Sequence, residues 1–240
     1  MAASLANLAE QTNAKTLAEA RRAAFRQASR IHGSLLASAE KRALVWMAER
    51  IPSWINSDHL TALGFVAQIA TGVCYAFAGR DRRMLLAAIV CLTLNWFGDS
   101  LDGTLARVRQ QQRPRYGFYV DHMTDSIGAV AMMGGLALSG YMHPLLAIGL
   151  LIAFLLLSIQ SYLATYTLGE FHLSFWRFGP TELRLLLIVG NLALFRWVWV
   201  IHGRYRLFDI GGTIGLAGMV LMVIFFSLKN MVRLYQEERI

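Results

Sequence analysis

The chain has 240 residues, of which 56% are hydrophobic and only 16% charged, and its mean hydropathy is +0.44. One or two water-soluble domains would fit that length, but several apolar runs reach the roughly 20 residues that a bilayer span requires, which excludes a soluble fold. The net charge of +8 comes with no nucleic-acid-binding motif, so it reads as attraction to anionic lipid.

Residues 1–50 carry eight basic side chains and no continuous apolar core, which argues against a signal peptide. Leu5, Leu8, Leu17, Phe25, Ile31, Leu35, Leu36, Leu44 and Trp46 are spaced among polar residues. That pattern suits one or two interfacial amphipathic helices, with Gly33 as a break. Ile51-Pro52 closes this segment, and Asp58 offers an N-cap to the first span.

Six spans are predicted, at 59–79, 84–106, 118–139, 142–166, 183–202 and 208–229. The expected fold is an all-α integral membrane protein with six transmembrane helices and an N-terminal amphipathic, juxtamembrane segment. Residues 1–57 form the peripheral segment and 58–240 the membrane domain. With both termini inside, 17 of the 23 Lys and Arg residues fall on the cytoplasmic side, which favours that orientation. Arg80, Arg82 and Arg83 run against it. Gln160 and Asn191 are intramembrane polar groups suited to structural hydrogen bonds. Cys74 and Cys91 read as small buried hydrophobes. Gly211 and Gly215 form a small-xxx-small pair that permits close helix packing, within the chain or in a homodimer.

The most informative stretch lies where the second span ends and the third begins. Asp99 and Asp102 are three residues apart, and Asp121 and Asp125 four apart, so each pair shares a helix face. Carboxylates at membrane depth are costly unless paired or metal-bound. An oxygen-only donor set, without neighbouring thiolates, suits Mg²⁺, Mn²⁺ or Ca²⁺. Gly103 leaves room for a ligand beside Asp102, and Arg107 can pair with phosphate. Metal, glycine and arginine together read as a phosphate or diphosphate site.

Asp99, Asp102, Gly103, Ala106, Arg107, Gly117, Asp121 and Asp125 also fill every position of the signature of the CDP-alcohol phosphotransferase family. The chain resembles that family over roughly residues 50–235. The resemblance implies transfer of a substituted phosphate group from a CDP-linked donor to an acceptor alcohol, with release of CMP. It implies two divalent ions, Mg²⁺ or Mn²⁺, held by Asp99, Asp102, Asp121 and Asp125, with Asp125 also the general base. Gly103, Ala106, Arg107 and Gly117 would hold the CDP part. His122 makes an Asp-His-x-x-Asp-Ser arrangement similar to the choline and ethanolamine branch, and offers a base or an acceptor ligand. Gly179-Pro-Thr-Glu182 resembles the same branch, whereas Met123-Thr124 looks closer to the phosphatidylinositol synthases. Glu182 is a candidate for a donor ammonium, and Arg177 and Arg184 are candidates for an acceptor phosphate. The donor stays open between CDP-diacylglycerol and CDP-choline or CDP-ethanolamine. Two other classes compete: a metal-ion transporter, which predicts acids at several depths, and a non-catalytic nucleotide- or lipid-binding scaffold.

Overall fold

A computed structural model of the chain describes residues 29–31, 37–172 and 180–239. Most of the predicted N-terminal amphipathic segment, together with Arg177 and Gly179, lies outside the described residues. Seven helices are described: α1 (Ala37–Ala48), α2 (Ser57–Ala78), α3 (Met84–Val108), α4 (Pro114–Leu138), α5 (Pro144–Leu168), α6 (Pro180–Leu194) and α7 (Leu207–Glu237). Two strand pairs accompany them. The backbone of β1 (Ser29–Ile31) pairs in parallel with β2 (Glu170–His172), and β3 (Trp199–Val200) pairs antiparallel with β4 (Tyr205–Arg206). Residues 29–31, expected to be helical, are therefore extended.

The protein is an all-α membrane protein in which α2, α3, α5 and α7 are each long and apolar enough to cross a bilayer. The other two predicted spans do not reach that standard. The α4 helix has 25 residues but carries Arg115, Asp121 and Asp125 in its first half. The α6 helix has 15, about 22 Å at 1.5 Å per residue against the roughly 30 Å of a hydrocarbon core. Its predicted end at 202 is also too late. After Leu194 the chain turns into Trp197-Val-Trp-Val-Ile201, a β-branched and aromatic run that favours extended backbone. Ile201, His202 and Gly203 then take φ values of 51°, 59° and 75° and close the β3–β4 hairpin.

The cap of α2 is Asn56, not Asp58. Asn56 Oδ1 accepts from the His59 N–H at 3.0 Å, and His59 Nδ1 accepts from the Asn56 N–H at 3.3 Å. This reciprocal pair satisfies two orphan donors at once. Asp58 instead faces outward and pairs with Arg113.

The α2 helix is the template on which the two aspartate-bearing helices are mounted. Both α3 and α4 pack extensively on α2 and make little direct contact with each other. Glycines set these contacts. A Cβ at Gly98 would lie 2.6 Å from the Gly64 nitrogen and the Leu60 carbonyl oxygen. One at Gly135 would lie 2.0 Å from the Gly72 oxygen, so only glycine fits at either crossing. The α7 helix packs on α5, where Leu146, Met142 and Leu150 surround Gly212. Gly211 and Gly218 face away from that contact, so the predicted small-residue pair does not act as a single seam within the chain.

The buried core falls into two groups. One, built on Tyr75, Leu85, Leu92, Leu136 and Leu194, fills the end away from the aspartates. There Asn191 Nδ2 donates to the Tyr75 hydroxyl at 2.8 Å, and Arg82 donates to the Leu194 carbonyl. Both tie down the C-terminal end of α6. The other group joins Leu44 and Ala48 of α1 to Leu60, Leu101 and Leu105, at the aspartate end.

Candidate active site

The α3 helix ends and α4 begins on the same side of the bundle as α1 and the start of α6. Here Asp99, Asp121 and Asp125 converge, with carboxylate oxygens within 4.8 Å of one another. At an effective dielectric near 20, each ionised pair at that separation repels by roughly 3 kcal/mol or more. The arginines beside the motif do not all relieve this repulsion. Arg113 pairs with Asp58. Arg109 reaches the carbonyls of Ile51, Pro52 and Ile55 at 2.9, 3.0 and 2.5 Å, and so fastens the α1–α2 loop to the end of α3. Relief comes from farther away: Arg184 of α6 meets Asp99, Nη2 to Oδ2, at 2.5 Å, with only 12% and 23% of the two side chains exposed. Arg184 offsets one of these charges. Three hard oxygen donors without thiolates then fit a divalent cation of the Mg²⁺ or Mn²⁺ kind.

Asp102 departs from the predicted fourfold convergence. Its Oδ2 accepts from Thr61 Oγ1 at 2.6 Å, and its Oδ1 accepts from the Gly103 N–H. The α2 helix thus draws the carboxylate aside from the other three, although it lines the same narrow cleft as Asp99, Asp125, Thr61, Asn95 and Thr124. Sequence reading gave Thr61 no role, because only the packing of α2 against α3 brings positions 61 and 102 together. Replacing Thr61 by valine is expected to destabilise the protein by about 2 kcal/mol, the usual worth of a hydrogen bond to a charged group. Thermal unfolding in detergent, with Thr61→Ser as the variant that keeps the bond, measures this.

Of the other predicted residues, Gly103 places the Arg107 guanidinium 3.5 Å from where its Cβ would be. Arg107 Nη2 also donates to Thr104 Oγ1 at 2.9 Å. Gly117 has open space where a side chain would project, and Ala106 is half-buried one residue before Arg107. His122 sits beside the cluster, with Nδ1 3.7 Å from Asp121 Oδ2. Its ring stacks on Tyr162 at 5.0 Å between centroids and meets Phe118 edge-on at 4.2 Å. Tyr162, on α5, stacks on His122 and lies near Asp121 and Asp125. Sequence reading missed it. The available signal was the cluster of polar residues from Ser158 to Tyr162 inside an otherwise apolar helix. Glu182 is half-buried on the first turn of α6.

The acids thus gather at one level on two helices, unlike the ladder of depths that an ion path needs. No curated protein matches the chain. The family model for CDP-alcohol phosphatidyltransferase matches residues 54–228, which takes in α2 to α6 and most of α7. With that match spanning well over half of the sequence and enclosing the whole carboxylate cluster, the chain belongs to the CDP-alcohol phosphatidyltransferase family.

Proposed function

We propose that the protein is an active membrane enzyme of phospholipid synthesis that transfers a substituted phosphate group from a CDP-linked alcohol to an acceptor alcohol, releasing CMP. The observation that supports this most is the convergence of Asp99, Asp121 and Asp125, with Gly103 about one turn and Arg107 about two turns farther along α3. Asp99, Asp121 and Asp125, with Asp102 on the same cleft, are the residues that would hold two divalent ions. When bound, such ions neutralise the diphosphate and stabilise the leaving CMP phosphate.

The rest of the chemistry belongs to the chain. Asp125 accepts the proton of the acceptor hydroxyl as its oxygen bonds to phosphorus and the bond to the CMP oxygen breaks. Gly103, Ala106 and Gly117 allow the CDP part to approach closely, and Arg107 pairs with its phosphates. His122, beside Asp121 on α4, is the candidate for a second base or a ligand to the acceptor hydroxyl. Arg184, which meets Asp99, and Arg177 are the candidates for an acceptor phosphate, and Glu182 is the candidate for a cationic headgroup. The distribution of Lys and Arg supports an orientation with the site and both termini in the cytoplasm. In this reading α4 and α6 complete a set of six spans, and a second copy of the chain is a candidate partner.

The test is CMP release by the purified protein in detergent with Mg²⁺ or Mn²⁺. CDP-diacylglycerol, CDP-choline and CDP-ethanolamine are offered against inositol, inositol phosphate, glycerol phosphate, serine and diacylglycerol. The expected result is release with one donor–acceptor pair, stopped by chelation of the metal. Silence across the panel from a folded protein that still binds CDP would overturn the enzyme reading in favour of a scaffold.

A further inference from the structure

The α1 helix carries an acid where its packing calls for an apolar residue. Glu40, Leu44 and Ala48 recur at intervals of four and so share one face. Leu44 and Ala48 on that face are buried against Leu60, Leu101 and Leu105. Lys41, Arg42, Trp46, Glu49 and Arg50 face outward. A carboxylate on the inner face of an amphipathic helix loses solvation, a loss that hydrogen bonds must offset.

Glu40 makes two such bonds, both to the same oxygen. Its Oε1 accepts from Trp96 Nε1 at 2.9 Å and from Thr181 Oγ1 at 2.7 Å. Trp96 lies on α3 three residues before Asp99, and Thr181 lies on α6 three residues before Arg184. The α3 and α6 helices run in opposite directions, so the Arg184–Asp99 pair at 2.5 Å and the Trp96–Glu40–Thr181 bridge are two ties between the same pair of helices, three residues apart on each. An indole N–H can only donate, so Trp96 depends on an acceptor brought to it by another element. The α6 helix is short and is held at its far end by Asn191 and Arg82. Glu40 pins its near end.

We propose that Glu40 is a positioning residue for the reaction: by bridging Trp96 and Thr181 it sets the start of α6 against α3, and so places Arg184 on Asp99. This deepens the reading given under Proposed function and rests on it. The peripheral helix thereby becomes part of the catalytic architecture, although Glu40 lies outside the residues 54–228 that the family model matches.

Two readouts test the proposal, one of them independent of turnover. Spin labels at the exposed positions Leu94 of α3 and Leu183 of α6, in a Cys74→Ala, Cys91→Ala background, report the spacing of the two helices. Glu40→Ala is expected to broaden that distance distribution. Glu40→Gln, which keeps an oxygen able to accept both bonds, leaves it narrow. In CMP release, Glu40→Ala is expected to lower kcat at least about tenfold, the kind of loss that follows a displacement of around an ångström. In an Arg184→Gln background the same change adds less than about twofold, because Glu40 acts through Arg184. An unchanged distance distribution in Glu40→Ala, or losses that multiply fully across the two backgrounds, would overturn the proposal. Absence of CMP release by the unaltered protein would overturn the enzymatic reading, and the spin-label distances would still decide for or against the tie.

Discussion

Asp125→Asn is expected to lower metal-dependent CMP release by a factor of about 10³ while the protein stays folded and becomes no less heat-stable. The two effects have one origin. Asp99, Asp121 and Asp125 bring like charges within 4.8 Å of one another, an arrangement that costs stability and is kept for function. Asparagine has nearly the same shape as aspartate, removes one charge from the cluster and cannot accept the proton of an attacking hydroxyl. Loss of a general base alone costs about 10²–10⁴-fold, and loss of an anionic metal ligand adds to it. Relief of repulsion works in the opposite direction on the fold. Turnover and thermal unfolding in detergent, measured on the same preparation, separate the two. Activity within tenfold of the unaltered protein would remove Asp125 from the role of base. A large fall in unfolding temperature would mean that the cluster is structural, with Arg184 as its counter-charge.

Gly98→Ala is expected to cost about 10²-fold in CMP release and about 2 kcal/mol in stability, a large effect for a single methyl group. The new Cβ would lie 2.6 Å from two backbone atoms of α2, the Gly64 nitrogen and the Leu60 oxygen. Backbone cannot swing aside as a side chain can, so α3 must move off α2. Overpacking of this kind costs about 1–3 kcal/mol. Asp99 is the next residue along α3, while Asp121 and Asp125 are mounted on α2 through α4. Any separation of α3 from α2 therefore opens the carboxylate cluster directly, and a shift of about 1 Å at a reacting centre is worth roughly 10²-fold. Gly134→Ala is the matched control, because that glycine is exposed with nothing within 4 Å of a new Cβ. It is expected to be neutral or to stabilise α4 by up to about 1 kcal/mol through helix propensity. If the two variants behave alike, the close approach of α2 and α3 is not what holds the site together.

Much of this protein is legible in its amino-acid sequence, and for local reasons. Hydropathy sums over neighbouring residues, so the long apolar helices α2, α3, α5 and α7 announce themselves. The spacing of Asp99, Asp102, Asp121 and Asp125 within two helices is equally local, and so are the membrane fold, the metal-binding chemistry and the family. Local signals mislead where neighbours compete. Asp58 is as good a cap by composition as Asn56, but Asn56 forms the reciprocal pair with His59 and Asp58 is taken by Arg113. The apolar run after Leu194 carries the hydropathy of a span and the β-branched composition of a strand, and the latter prevails in the β3–β4 hairpin.

The tertiary structure decided what depends on residues far apart in the chain. Two aspartate helices do not meet because each has an acidic face; they meet because Gly98 and Gly135 let both lie close on α2. That mounting brings Asp121 and Asp125 to Asp99 and gives Asp102 to Thr61 instead. It also opens the site to Arg184, Tyr162 and Glu40, which come from α6, α5 and α1. No pattern in the sequence joins position 40 to position 181, or 61 to 102, because hydrogen-bond partners are chosen by which helices touch, and touching is decided by where glycine allows backbone to approach backbone.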